Sequence, residues 1–142
     1  MRTTRVVFGL VAAISVFTSF PMVFAADKGF KSPSGNIHCA LTSSDEYETS
    51  EPVLACSMNK VDRETFGECG NFGARNFWLF ASAGTPEMDC GGAKSLGGLP
   101  TLEYGSSWSA AGFTCLSEKT GVSCQNSHGN GFSLSKAEQR AF

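Results

Sequence analysis

Two histidines, His38 and His128, are the side chains of this 142-residue chain best suited to move a proton near neutral pH. A Ser-His-Asp or Cys-His mechanism needs one of them oriented by a third group. His38 alternates with Ile37 and Cys39, which puts it on the solvent side of a strand whose neighbours point inward. His128 lies in Asn126-Ser-His-Gly-Asn-Gly131, a turn sequence, because Asn and Gly tolerate positive φ. The carboxylates Asp45, Glu46, Glu48 and Glu51 form the densest charge cluster. An acid–base pair of the glycosidase kind needs two carboxyls fixed across a rigid cleft. These four sit instead on a polar loop, where solvation is the ordinary role and weak calcium binding the one ligand chemistry that fits. The chain has no phosphate-binding glycine loop, nucleophile elbow, His-Glu-x-x-His segment or calcium loop of Asp-x-Asp-x-Asp-Gly form. The expectation is a non-catalytic protein without metal or cofactor. A small enzyme using His128 or His38 is an alternative.

The six cysteines, Cys39, Cys56, Cys69, Cys90, Cys115 and Cys124, carry a different chemistry. None is closer to another than Cys115 is to Cys124, which lacks the paired spacing of a zinc site. An even count is most simply read as three disulfides, for which sequence permits about 15 pairings. Neighbour order is expected, since consecutive cysteines bracket hairpin-like segments. Phe113-Thr-Cys115-Leu and Val122-Ser-Cys124-Gln flank the turn-rich Glu118–Gly121, pairing Cys115 with Cys124. Asn36–Leu41 and Val53–Met58 flank a polar excursion from Thr42 to Pro52, pairing Cys39 with Cys56 and leaving Cys69 with Cys90.

The elements that must position these groups read as β throughout. Glycine is abundant and turn residues recur at short intervals, the punctuation of a small all-β fold. Strands are expected near Asn36–Leu41, Val53–Met58, Arg75–Ala81, Pro86–Cys90, Thr101–Tyr104, Gly112–Leu116, Val122–Asn126 and Gly131–Leu134. Together they predict a disulfide-stapled β-sandwich or barrel of seven or eight short strands. Within Asn76–Phe80 both faces are apolar, as in a central strand covered on both sides. An exposed aromatic platform of Phe77, Trp78 and Phe80 is the sharper alternative. Ser135-Lys-Ala-Glu138 has capping-box spacing and predicts one helical turn at the C-terminal end.

Residues 1–25 read as an export signal: Arg2 and Arg5, an apolar run from Val6 to Phe20, Pro21, then Val23-Phe24-Ala25 with small residues at the cleavage positions. Cleavage is expected after Ala25, with Ala26 the next choice, leaving residues 26–142 as a single domain. No cysteine adjoins that site and the two arginines are not adjacent, so neither lipid attachment nor a twin-arginine signal is indicated. Beyond Ala25 the chain has nine basic against thirteen acidic residues, a balance of −4. That excludes the basic footprint of a nucleic-acid binder. A secreted or periplasmic location, with no stable membrane insertion after cleavage, agrees with six cysteines in the exported part.

The segments Phe30-Lys-Ser-Pro-Ser-Gly-Asn-Ile-His-Cys39, Leu102–Trp108, Gly112-Phe-Thr-Cys115, Thr120-Gly-Val-Ser-Cys124-Gln-Asn126 and His128-Gly-Asn-Gly-Phe-Ser-Leu-Ser135 resemble a family of small secreted bacterial proteins known as a domain of unknown function. One departure is visible. The family pattern usually reads Gly-His-Gly-Phe near its end, whereas here His128 precedes Gly129 and Asn130 stands before Gly131. The resemblance implies an exported, disulfide-stabilised β domain and transfers no activity.

The functional expectation is therefore a binding or envelope-associated module with a protein or cell-envelope partner. Its ligand contacts are sought at Trp78, Trp108 and His128, and an exposed aromatic or apolar patch is expected around Phe72, Trp78 or Trp108. A secreted inhibitor of a hydrolase such as a lysozyme or protease, presenting the Thr42–Pro52 loop, is the alternative from another class.

Overall fold

A computed structural model describes residues 23–25, 28–42, 50–71, 73–92 and 98–142. Among them the chain forms strands and no helix: β1 (Val23–Ala25), β2 (Gly29–Lys31), β3 (Ile37–Thr42), β4 (Val53–Met58), β5 (Ala74–Phe80), β6 (Glu87–Gly91), β7 (Ser107–Ala110), β8 (Phe113–Glu118), β9 (Gly121–Gln125), β10 (Gly131–Leu134) and β11 (Gln139–Ala141). One sheet has the order β2-β3-β4-β5-β6 and the other β7-β8-β9-β10-β11, each antiparallel throughout, with β1 lying parallel beside β7.

Period-two alternation turns one side of each strand toward a shared core. The first sheet contributes Phe30, Ile37, Cys39, Leu54, Cys56, Met58, Phe77 and Leu79; the second contributes Trp108, Phe113, Cys115, Val122, Cys124, Phe132 and Leu134. Rings meet across the gap, Phe30 with Trp108 at 5.5 Å and Phe77 with Phe132 at 6.0 Å between centroids. The fold is an all-β sandwich. Close backbone approach explains one glycine directly: a Cβ on Gly131 would fall 2.1 Å from the Cys124 carbonyl oxygen of the adjoining strand.

Three disulfides join Cys39 to Cys56, Cys69 to Cys90 and Cys115 to Cys124. Cys39 faces Cys56, and Cys115 faces Cys124, in direct cross-strand register. The sulfurs of Cys39, Cys56 and Cys124 lie within 4.8 Å of one another, so a bridge of one sheet rests on a bridge of the other. Bridged sulfur presents no thiolate to a metal ion.

Two expectations are corrected. Thr101–Tyr104 is not a strand. It meets β2 only through a parallel bridge at Thr101, with Lys31 N donating to the Pro100 carbonyl and Leu102 N to that of Lys31, both at 2.9 Å. Gly105, at φ +82°, then turns the chain into β7. Nor is there a C-terminal helical turn. Ser135 Oγ does accept from Glu138 N at 2.9 Å, but Ser135 N also donates to the Glu138 carbonyl, closing a tight turn that leads into β11. Gln139 is drawn into the sandwich: its Nε2 donates to the Ser135 carbonyl and its Oε1 accepts from Thr65 N.

Side-chain amides and one carboxylate hold the connections. Asn126 Nδ2 donates to the carbonyls of Phe80 (3.0 Å) and Ser82 (2.9 Å) at the end of the opposite sheet, while its Oδ1 accepts from His128 N and Asn130 N. Asn36 exchanges two bonds with the backbone of Lys60, Nδ2 to the carbonyl at 2.9 Å and Oδ1 from N at 2.8 Å. Glu64 pairs with Arg75 and accepts from Cys69 N at 3.0 Å and Gly70 N at 3.4 Å. The Arg75 guanidinium, opposed by partial burial and aided by those two amides, holds the Glu64 carboxyl below its ordinary value of 4.5.

Asn126→Ala removes four bonds at a buried position and should cost about 2–3 kcal/mol in a urea melt. Glu64 provides a pH signature. A carboxylate whose folded pKa is depressed adds stability above its unfolded pKa, and that addition is lost as pH falls through the folded value. The melting-temperature gap between the wild type and Glu64→Gln should therefore be fullest above the ordinary carboxylate range and narrow as pH falls through the lower folded value.

Candidate functional site

The outer face of the first sheet carries the row that most resembles catalytic machinery. Lys31, His38, Ser57, Asn76 and Asp89 are consecutive cross-strand neighbours. Ser57 Oγ donates to Asn76 Oδ1 at 2.6 Å, Asn76 Nδ2 donates to Asp89 Oδ1 at 2.9 Å, and Trp78 Nε1 donates to Asp89 Oδ2 at 3.0 Å. The Ser57 proton is thus directed at an amide oxygen, which cannot act as a base. Both Asp89 oxygens accept from neutral donors and orient no histidine. His38 is half-buried beside Ser57, and His128 is exposed in the turn whose backbone Asn126 holds. The row reads as a sheet-stabilising ladder.

The expected aromatic contacts are corrected here. Trp78 is 3 % exposed, in a second buried cluster with Val53 and Ala55, and Trp108 is 2 % exposed in the main core. Phe77 is buried and Phe80 half-buried, so β5 is apolar on both faces because both are covered. Size and hydrophobicity drive these rings inward, and the indole NH of Trp78 is satisfied by Asp89. Phe72 and residues 43–49 of the acidic loop lie outside the described residues. Glu51, at the end of that loop, accepts from Ser82 N and Ser82 Oγ at 2.8 and 3.0 Å.

Exposed large apolar side chains occur elsewhere. Leu116 (37 % exposed) and Phe142 (48 %) share the outer face of the second sheet, where they flank a hollow of about 220 Å³ together with Thr114, Ser123 and Gln125. Strand register arranges this face in two rows. One runs Ser109, Thr114, Gln125, Gly131; the other runs Ser107, Leu116, Ser123, Ser133, Arg140. Phe142 extends the first row, through paired backbone bonds with Gly131. Ser109 and Thr114 hydroxyls are 3.2 Å apart, and Ser123 donates to Ser133 at 3.1 Å. The result is a broad face of short hydroxyls bearing one aliphatic and one aromatic side chain, with Glu118 and Arg140 at its margins.

Residues 12–142 match a protein family described as a family of unknown function, DUF6636. The chain belongs to DUF6636. No curated protein and no solved structure matches it. In this DUF6636 chain the opening Ser32-Pro-Ser-Gly-Asn36 is a turn: Gly35 has φ +68° and donates to the Ser32 carbonyl, Ser32 Oγ accepts from Ile37 N, and Asn36 holds Lys60. The segment therefore builds the frame. A wider cleft of about 470 Å³ beside that turn is rimmed by Asp62, Glu118, Lys119, Lys136 and Tyr104, a rim of mixed charge.

Sequence reading missed Leu116 and Phe142, although one signal for the former was available. In Phe113-Thr-Cys-Leu-Ser-Glu118, inward Phe113 and Cys115 require Thr114, Leu116 and Glu118 to face out, as they do. Because the hollow's apolar walls lie outside the core, Leu116→Ser and Phe142→Ala should each change stability by no more than about 1 kcal/mol in urea melts. Leu134→Ala, at a fully buried site, should cost about 2–5 kcal/mol.

Proposed function

We propose that this DUF6636 protein is an exported, non-catalytic binding module of the cell envelope, and that the outer face of β7–β11 receives a neutral polysaccharide strand. The observation that carries this reading is the hydroxyl-rich face with Leu116 and Phe142 exposed around one hollow. Short hydroxyls both donate and accept, which matches the hydroxyls of a sugar. An aromatic ring and a branched aliphatic chain match the apolar C–H faces of a pyranose. The cores of protein–protein interfaces are depleted in Ser, so a face dominated by Ser fits a protein partner poorly. Charge at the margins alone favours a neutral ligand over an anionic polymer. The non-catalytic part is supported by the histidines, neither of which adjoins this hollow or is oriented by a carboxylate among the described residues.

The test is depletion of the exported protein by insoluble glucan, chitin and purified cell-wall glycan. Retention on at least one polymer is expected, with affinity reduced about tenfold by Phe142→Ala, as loss of roughly 1.4 kcal/mol of ring contact implies. Retention should be nearly unchanged between about 50 mM and about 500 mM salt. Failure to bind any polymer, or equal binding by Phe142→Ala and Leu116→Ser, would overturn the reading. Release of soluble sugar during incubation would overturn its non-catalytic part.

A further inference from the structure

The four sheet edges are guarded unequally. At β2 the edge is covered by the Pro100–Leu102 segment, which exchanges two backbone bonds with Lys31. The β6 edge carries Glu87 and Asp89, and Cys90 ties it to the preceding loop through Cys69. β11 is only three residues long and bears Arg140. Short length, charge and covering loops are the usual protections against unwanted strand pairing. β7, Ser-Trp-Ser-Ala, carries no charge and no proline, and among the described residues no loop of the mature domain covers it.

The neighbour of β7 on that side is β1. Val23, Phe24 and Ala25 lie parallel to it, in register with Ser107, Trp108 and Ser109. These are the last three residues of the segment read as an export signal with cleavage after Ala25. Once it is cut, only Ala26 and Asp27 precede Lys28, whose carbonyl accepts from Leu41 N at 2.8 Å on the opposite sheet. Two residues reach at most about 7 Å, too short for the mature chain to refill a three-residue seat. Cleavage thus leaves open an edge that, among the described residues, has neither charge nor a covering loop.

We propose that the β7 edge of the mature protein is a strand-acceptor site for an extended, uncharged, apolar peptide segment of a partner protein, added in parallel as Val23–Ala25 is. Main-chain bonds would supply the affinity and the alternating side chains the selectivity. The proposal rests on the export reading but not on glycan binding, so the failure of either leaves a distinct trace.

The experiment uses the exported protein. Its intact mass comes first and should correspond to a chain beginning at Ala26. Hydrogen exchange is then followed at Ser107–Ala110 with and without a capped peptide spanning residues 21–26. At about 1 mM peptide, a concentration suited to weak strand addition, alternate β7 amides should slow by about tenfold while β10 and β11 are unchanged. The same peptide carrying Phe24→Pro should give no protection, because proline removes a donor and resists strand pairing. An exported chain that retains Val23–Ala25 would overturn the proposal. So would absence of protection by the peptide, or β7 amides already protected by self-association, seen as a doubled native mass.

Discussion

Two disulfides resting on each other at the centre of the sandwich fix the register of the hairpins around them. Cys39–Cys56 and Cys115–Cys124 each join directly opposed residues of a hairpin, with Cα atoms 4.0 and 4.1 Å apart, and the Cys124 sulfur touches the bridge of the facing sheet. A covalent cross-strand tie forbids register slip, and a slip of one residue would turn every core side chain of that strand to the other face. Because β8 and β9 are locked this way, Thr114, Leu116, Ser123 and Gln125 have no alternative to the outer face. The exposed rows of the second sheet are set by the placement of its buried sulfurs.

Polar side chains divide accordingly into those used by the frame and those left to solvent. Asn36, Asn126, Gln139 and Glu64 use their hydrogen-bonding capacity to hold turns and loops to the sheets, and buried Asn76 uses its own to tie β4 to β6 across β5. The hydroxyls of the second sheet's outer face bond only to one another among the described residues, Ser109 with Thr114 and Ser123 with Ser133. Such bonds exchange readily for bonds to an incoming hydroxyl at little net cost. The histidine row on the first sheet is more tightly committed, since Asp89 is already engaged by Asn76 and Trp78.

Much of this frame was legible in the sequence. Alternation and turn residues located seven strands to within about two residues, and the segments bracketed by cysteines gave neighbour pairing. The rest failed for identifiable reasons. Thr101–Tyr104 has strand-like residues, yet its backbone bonds go to Lys31 as an edge cover. β7 and β11 were missed because Ser-Trp-Ser-Ala and Gln-Arg-Ala lack β-branched residues, and their pairing is set by neighbours rather than propensity. The capping-box spacing at Ser135 was met by a turn because Gln139 is held at Thr65, 74 residues away in sequence. Trp78 is covered, as a central strand apolar on both faces requires, so the alternative of an exposed platform at β5 fails, while exposed Leu116 and Phe142 come from a short hairpin and from residue 142.

Peptide mapping of the unreduced exported protein, digested under acid conditions that suppress exchange, tests the central constraint most directly. Three linked pairs are expected: Cys39 with Cys56, Cys69 with Cys90 and Cys115 with Cys124, with no thiol open to alkylation after denaturation. A bond between Cys124 and either Cys39 or Cys56, whose sulfurs already lie within 4.8 Å of it, would contradict the stacked arrangement, as would any free thiol. The outer-face rows that depend on that arrangement would then lose their basis.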